Sequence, residues 1–205
     1  MDIDPKNSTP DEAYKLLTGL IVPRPVAWIT SLSPDSKVNL APFSAYGLVT
    51  HRPPMLMVTI GTRNDERKDT GRNIVAQREF VVNVARFEDA AILQKSSADF
   101  AYNESEIEHL GLRTVGSTVV KVPRLANVVA AMECRLREKL EYPDVDSIIL
   151  LGEVASFYIR DDFVRNGKVA TPELDPLARI GGPNYAGLDR FVSAASLLAG
   201  ERPAK

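Results

Sequence analysis

Apolar residues recur at every second position, or in short unbroken runs, through the first half of the chain, and this pattern predicts strands more often than helices. Pro25 to Ser31 reads as a β-rich run that ends at Ser33-Pro34-Asp35-Ser36. In that cluster proline supplies a fixed φ and aspartate a local hydrogen bond, the chemistry of a tight reversal. A hairpin into Lys37-Val38-Asn39-Leu40 is expected to follow. After the rigid stretch Arg52-Pro53-Pro54, the run Met55 to Ile60 is long enough for a buried strand and too short for a lone helix. Phe80 to Val84 predicts another strand.

Helical signals are brief. One helix is predicted from about Thr70 to Gln77, with Asp69 or Thr70 as N-cap and Ile74-Val75 turned inward. A second is predicted from Glu88 to Ser97, opened by acids and carrying Lys95 near its end. Met132, Cys134 and Leu136 alternate with Glu133, Arg135 and Arg137, which predicts a strand with one wet face. Ser147 to Ile159 reads as a long central strand in which Gly152 marks a bulge or a close backbone approach. The stretch from Gly167 to Gly187 is rich in loop residues, and a last apolar helix is expected from about Phe191 to Ala199. The fold class is therefore mostly β with peripheral helices. Strands do not alternate with long helices, which argues against a doubly wound sheet, and closure into an antiparallel barrel would remove exposed edges.

Composition narrows the class of partner. The 205 residues fit one domain, with a core over about 16–187 and an extension over 188–205. With 25 Lys and Arg against 27 Asp and Glu, the overall field is not that of a nucleic-acid binder, so any positive site must be local. Cys134 is the single cysteine, which excludes an internal disulfide framework and fits a reducing cytoplasm. The first residues lack the basic start and apolar core of a secretory signal, and no apolar run reaches membrane-spanning length. A cytoplasmic protein with no membrane partner is the expectation.

Two segments carry candidate chemistry. In Arg67-Lys68-Asp69-Thr70-Gly71-Arg72-Asn73, a helix start leaves its first amides unpaired and partly positive. Lys68 adds a full charge, Thr70 a hydroxyl, and Gly71 close access to the backbone, which together suit a phosphate or carboxylate. Asp69 is the awkward member, because its carboxylate would repel that anion unless it caps the helix or bonds elsewhere. In Asn39-Leu40-Ala41-Pro42-Phe43-Ser44, small residues at a strand end offer backbone groups to the edge of a heterocycle, with Thr30 and Ser31 supplying hydroxyls across the hairpin. Each segment alone also fits an ordinary helix start or strand end; the conjunction points to a planar ligand with an anionic tail.

Other residue types point to structure. His51, His109 and one cysteine have no metal-site spacing. Cys134, inward on its strand, reads as a small buried hydrophobe, and Trp28 fits either a ligand contact or a core aromatic. The basic residues from Arg63 to Arg72 are interrupted by Asp65, Glu66 and Asp69, which argues against a polynucleotide track.

The ordered set of Pro23 to Ser31, Asn39 to Ser44, Lys68-Asp69-Thr70 with Asn73, and Phe80-Val81-Val82-Asn83 resembles the flavin reductase-like, FMN-binding split-barrel family, in the branch that includes flavoredoxin. Glu133-Cys134, Leu151 to Val154 and Pro176 to Gly182 with Tyr185 extend the resemblance over about Leu16 to Tyr185. It implies a six-stranded antiparallel split β-barrel that assembles as a homodimer and binds FMN near the subunit interface. By the same resemblance, Thr30, Ser31, Asn39, Ala41, Pro42 and Ser44 would meet the flavin ring. Lys68, Asp69, Thr70 and Asn73 would lie at its phosphate, while Arg179 and Tyr185 match too loosely to be assigned. The implied activity is NAD(P)H-dependent flavin reduction, with a monooxygenase or other electron acceptor as partner. A flavoredoxin-like carrier with tightly held FMN and a non-catalytic flavin-binding protein are the alternatives. Hydride transfer to a flavin needs no side-chain nucleophile or acid, so no catalytic residue of the protein is expected.

Overall fold

The computed structural model describes residues 1–63, 66–101, 104–143 and 145–192. Seven strands form its main sheet: β1 (Ala27–Leu32), β2 (Val38–Phe43), β3 (Tyr46–His51), β4 (Pro54–Ile60), β5 (Glu79–Val84), β6 (Ala130–Glu141) and β7 (Ile148–Ile159). Their order is β2-β1-β5-β6-β7-β4-β3, and every adjacent pair is antiparallel. The antiparallel, mostly β class thus follows the residue pattern. Two expectations need correction. The sheet has seven strands where six are expected, the addition being β3, an edge strand whose alternation is weak because much of it is exposed. It also stays open, with β2 and β3 at opposite edges, so the barrel is split rather than closed by a continuous ladder.

Both faces of the sheet are packed, so β1 and β5 are apolar at consecutive positions. Ile29, Phe80, Val82 and Leu150 belong to one core cluster, while Trp28, Val81 and Leu40 belong to another on the opposite face. The first cluster includes Ile74 of α2 (Asp69–Gln77); the second includes Leu93 of α3 (Ala90–Lys95) and Ile107 of α4 (Glu106–His109). The expected hairpin turn is present, closed by Ser33 N–H to the Lys37 carbonyl at 2.9 Å, with Ser36 at φ 63°. Pro42 lies inside β2 rather than in a loop, which the sheet tolerates because β2 is an edge strand.

The remaining differences have local causes. The helix predicted over Glu88 to Ser97 is a short 3₁₀ turn, Phe87–Asp89, followed by the six residues of α3. Glu133 is not on a wet face: it is buried, and its two carboxylate oxygens accept the amides of Thr118 (2.7 Å) and Val119 (2.6 Å), strapping that loop to the sheet. Arg135 and Arg137 are exposed as the alternation predicts. The helix expected from Phe191 to Ala199 lies outside the described residues beyond Val192. No helix among the described residues is long and apolar enough to cross a membrane.

At Gly152 both expected features occur: the β6–β7 register shifts between Leu136 and Glu138, opposite Gly152 and Leu151, and the backbone is closely approached. A Cβ there would stand 2.5 Å from Cζ of Phe80, itself fully buried in the core. Gly152→Ala is expected to destabilise the protein by about 1–3 kcal/mol through overpacking, measured as a lower urea midpoint at unchanged slope.

Candidate functional site

The two candidate segments converge on one cleft of about 410 Å³, with Asn39, Ala41, Pro42 and Phe43 on one side and Lys68, Asp69 and Thr70 on another. The remaining walls come from two short paired strands, Thr62–Arg63 with Glu66–Arg67, and from Ser96, Ser97, Ala98, Phe100 and Glu106. Joining the two segments is a side-chain hydrogen bond, 2.8 Å between the Asn39 amide and Thr70 Oγ1 across 31 positions of sequence. Trp28 is a core aromatic whose indole N–H donates to Ser96 Oγ at 2.9 Å, which ties the wall at Ser96 to the sheet.

α2 begins one residue earlier than the pattern predicts. Lys68 occupies the N-cap without a side-chain cap bond, so Asp69 and Thr70 are the first helical residues rather than the cap. Among the described residues no acceptor meets the amides of Asp69, Thr70 or Gly71, and these are the unpaired donors that suit an anion. Gly71 has a different role from the one expected. It is buried against Ile60 and Ile148, where a Cβ would come within 3.3 Å of Ile148, so its missing side chain serves helix-to-sheet packing rather than ligand access.

Asp69 loses its awkwardness, because its carboxylate accepts from the Arg72 guanidinium one turn on. Lys68 takes part in no ion pair among the described residues, and its ammonium lies 5.9 Å from the centre of the Phe43 ring. Burial and then Arg63 hold Lys68 below the usual lysine range, with Asp99 opposing them. Arg63 is paired in turn with Asp99 at 2.6 Å, a contact that joins the short paired strands to the stretch 96–101.

Of the other residues named from sequence, Thr30 faces away from the cleft. It is fully buried, donates to the Pro123 carbonyl at 2.7 Å and accepts from Asn83 at 3.2 Å. Ser31 and Asn73 stand behind the cleft wall. Ser31 Oγ lies 3.3 Å from the Asn39 amide and accepts from Asn73 Nδ2 at 3.2 Å, so the pair braces Asn39. Ser44 is half-buried just after β2 and does not line the cleft. Cys134 is fully buried, and burial pushes its thiol well above the usual range. His51 is exposed at a turn, and His109 packs beside the Phe100 ring at 5.1 Å.

Sequence reasoning missed Glu106. This buried carboxylate lines the cleft, and its Oε2 accepts the Leu40 amide at 2.9 Å across 66 positions of sequence. Burial pushes the Glu106 carboxyl above its usual range and Asp69 adds to this, whereas the Leu40 amide, its own backbone amide and His109 oppose it. No local signal could have found it, since a single acid beside Ile107 acquires its meaning only from a strand folded against it.

Unpaired helix-start amides, a lysine and a small-residue strand facing one cleft define a site for a planar ligand with an anionic tail. The flavin reductase-like domain family matches residues 19–174, and the chain belongs to that family. It is similar to the structure of nitrilotriacetate monooxygenase component B from Bacillus cereus, with 34% identity, a TM-score of 0.90, and coverage of 94% of this chain and 98% of that one. The 2-nitrobenzoate 2-nitroreductase of Pseudomonas fluorescens is 30% identical with a TM-score of 0.86, covering 94% of each chain. The flavoredoxin of Desulfovibrio vulgaris (Miyazaki F), at 19% identity and a TM-score of 0.77 over 95% of this chain and 97% of that one, shares the split-barrel fold. A flavin is the class of cofactor to which the family points.

Asn39 stands at the centre of the buried polar contacts. Asn39→Ala should cost about 1–3 kcal/mol, because Thr70, Ser31 and Glu106 each lose a neighbour in a place water does not reach freely; chemical denaturation of the isolated variant measures it.

Proposed function

We propose that the protein binds FMN in this cleft and catalyses its reduction by NADH or NADPH, delivering reduced flavin to a partner monooxygenase. The observation that carries the reading is the meeting of Lys68, Thr70 and the open α2 amides with the Asn39 to Phe43 strand in one cleft. The donor set suits the cofactor: one ammonium, one hydroxyl and a row of backbone N–H groups match a phosphate, and the low wall at Ala41 and Pro42 leaves room for a ring. The likeness to a monooxygenase component B supports the flavin-supplying role.

When bound, FMN would supply the redox chemistry, accepting a hydride from the nicotinamide. The chain's own residues hold and orient it. Lys68 and the start of α2 would take the phosphate, and Asn39, braced by Ser31 and Asn73, would hold Thr70 in position to join them. Asp69 keeps its charge on Arg72 and so weakens the anion site less than its position suggests. Assembly as a homodimer belongs to the same proposal. It is supported by α1 (Pro10–Leu20), an amphipathic helix with no buried residue and with Tyr14, Leu17 and Leu20 exposed.

A second reading is favoured by the likeness to a nitroreductase, in which the protein retains its flavin and reduces an organic substrate directly. The two readings separate on one sample. NADH oxidation that needs added FMN supports the first, whereas a yellow protein that keeps its colour through gel filtration and reduces a nitroaromatic compound supports the second. Lys68→Ala with Thr70→Ala should weaken FMN at least about tenfold, since a hydrogen bond to a charged group is worth about 1.5–3 kcal/mol. An unchanged dissociation constant by fluorescence titration would remove the phosphate assignment.

A further inference from the structure

Three acids line the cleft, Glu66, Asp69 and Glu106, and of these only Glu106 has no ion pair among the described residues. Asp69 is neutralised by Arg72, Arg63 is paired with Asp99, and Arg67 with Glu141, yet no ion pair reaches Glu106 among the described residues. The groups that face it are the Leu40 amide and the Asn39 side chain from β2, Asp69 from the start of α2, and His109 on its own helix, itself turned toward Glu104, while Lys68 and Glu66 stand elsewhere on the cleft wall. A flavin phosphate seated at the start of α2 would add further negative charge beside a buried carboxylate.

The Asn39 amide offers a way out, because turning it over exchanges its partners. In the orientation that satisfies both of its ends, its nitrogen donates to Glu106 Oε1 at 3.3 Å and its oxygen accepts from the Leu40 amide at 3.2 Å and from the Thr70 hydroxyl at 2.8 Å. This is the orientation an ionised Glu106 imposes, since its Oε1 can only accept, and it consumes the single hydroxyl hydrogen of Thr70. In the other, the Asn39 nitrogen donates to Thr70 Oγ1 at 2.8 Å and to Ser31 Oγ at 3.3 Å, while its oxygen turns to Glu106 Oε1. Oxygen facing oxygen is stable there only if Oε1 carries a proton, and the Thr70 hydrogen is then free to point into the cleft. In both arrangements Oε2 keeps the Leu40 amide.

Resting on the FMN reading above, we propose that Glu106 is a positioning residue that takes a proton from solvent as the flavin phosphate binds, turning the Asn39 amide so that Thr70 donates to the phosphate. Proton uptake and phosphate binding are then linked, and affinity falls as pH rises through the range in which Glu106 ionises. Burial places that range above an ordinary glutamate's, which brings it toward neutrality.

Titration of FMN across pH with the wild type and with Glu106→Gln tests this, because the glutamine amide can donate to the Asn39 oxygen as the protonated acid would. The ionisation of the phosphate itself is common to both proteins. The wild-type dissociation constant should equal the variant's in acid and then rise relative to it, approaching about tenfold per pH unit for one linked proton. A ratio that stays constant with pH while both proteins bind FMN overturns the Glu106 proposal alone. Failure of both to bind FMN removes the flavin reading and the proposal with it. Should the variant not fold, calorimetry of the wild type in two buffers of different ionisation enthalpy gives the answer at a pH above about 7, where the free phosphate has already lost its second proton. Net proton uptake is expected with FMN and none with riboflavin, which lacks the phosphate. Proton release or no exchange with FMN would overturn the proposal, since the phosphate then has no proton left whose release could mask uptake by Glu106. Uptake by Lys68 belongs to the alkaline side and is unaffected by the substitution.

Discussion

How closely α2 lies on the sheet governs everything at the cleft. Gly71 lets the helix start come into contact with Ile60 and Ile148, and Ile74 one turn later is fully buried in the same cluster. That approach brings Thr70 within 2.8 Å of the Asn39 amide and turns two segments from different parts of the chain into one wall. A side chain at position 71 would have to push the helix away or displace two buried isoleucines in a close-packed interior. The open helix start is thus a by-product of hydrophobic packing, with polar groups placed where the packing leaves that end uncovered.

Electrostatics then decides what that open end can hold. The exposed pairs around the rim, Arg63 with Asp99 and Arg72 with Asp69, contribute little stability of their own. Their effect is on bookkeeping of charge: Arg72 answers Asp69, and Arg63 answers Asp99. Lys68 keeps a charge that no ion pair claims among the described residues, while burial makes that charge costly to hold without an anion beside it. The same cleft wall contains Glu106, whose burial likewise makes a charge costly to hold there.

Much of the architecture could be read from the chain because it rests on local chemistry. Ser33-Pro34-Asp35-Ser36 makes its turn, the Phe80 run makes a buried strand, the Met55 run makes a strand buried on one side only with Met57 exposed, and Lys68 and Thr70 open a helix near the predicted place. Where the reading went astray, a distant neighbour was responsible. Glu133 was expected in water because its strand alternates, but a loop 14 to 15 positions earlier supplies two amides that make burial favourable. Gly71 looked like an opening for a ligand and proved to be a packing contact, since its environment comes from Ile60 and Ile148. Thr30 was expected at the ligand, yet residues of one strand alternate in direction, and its hydroxyl is spent on Pro123 while Ser31 faces the cleft side.

The sequence by itself determined the antiparallel, mostly β class, the small-residue strand from Asn39 to Ser44, and the cationic helix start at Lys68. Each of these depends on residue type and near neighbours: backbone propensity, turn chemistry and the unpaired amides that every helix start carries. Only the tertiary structure decided that the two segments meet, that Ser31 and Asn73 stand behind Asn39 instead of lining the cleft, and that Glu106 enters it. The physical reason is that a hydrogen bond or an ion pair is made in space. Asn39 and Thr70 are 31 positions apart and Leu40 and Glu106 are 66 apart, separations at which the order of residues carries no record of contact.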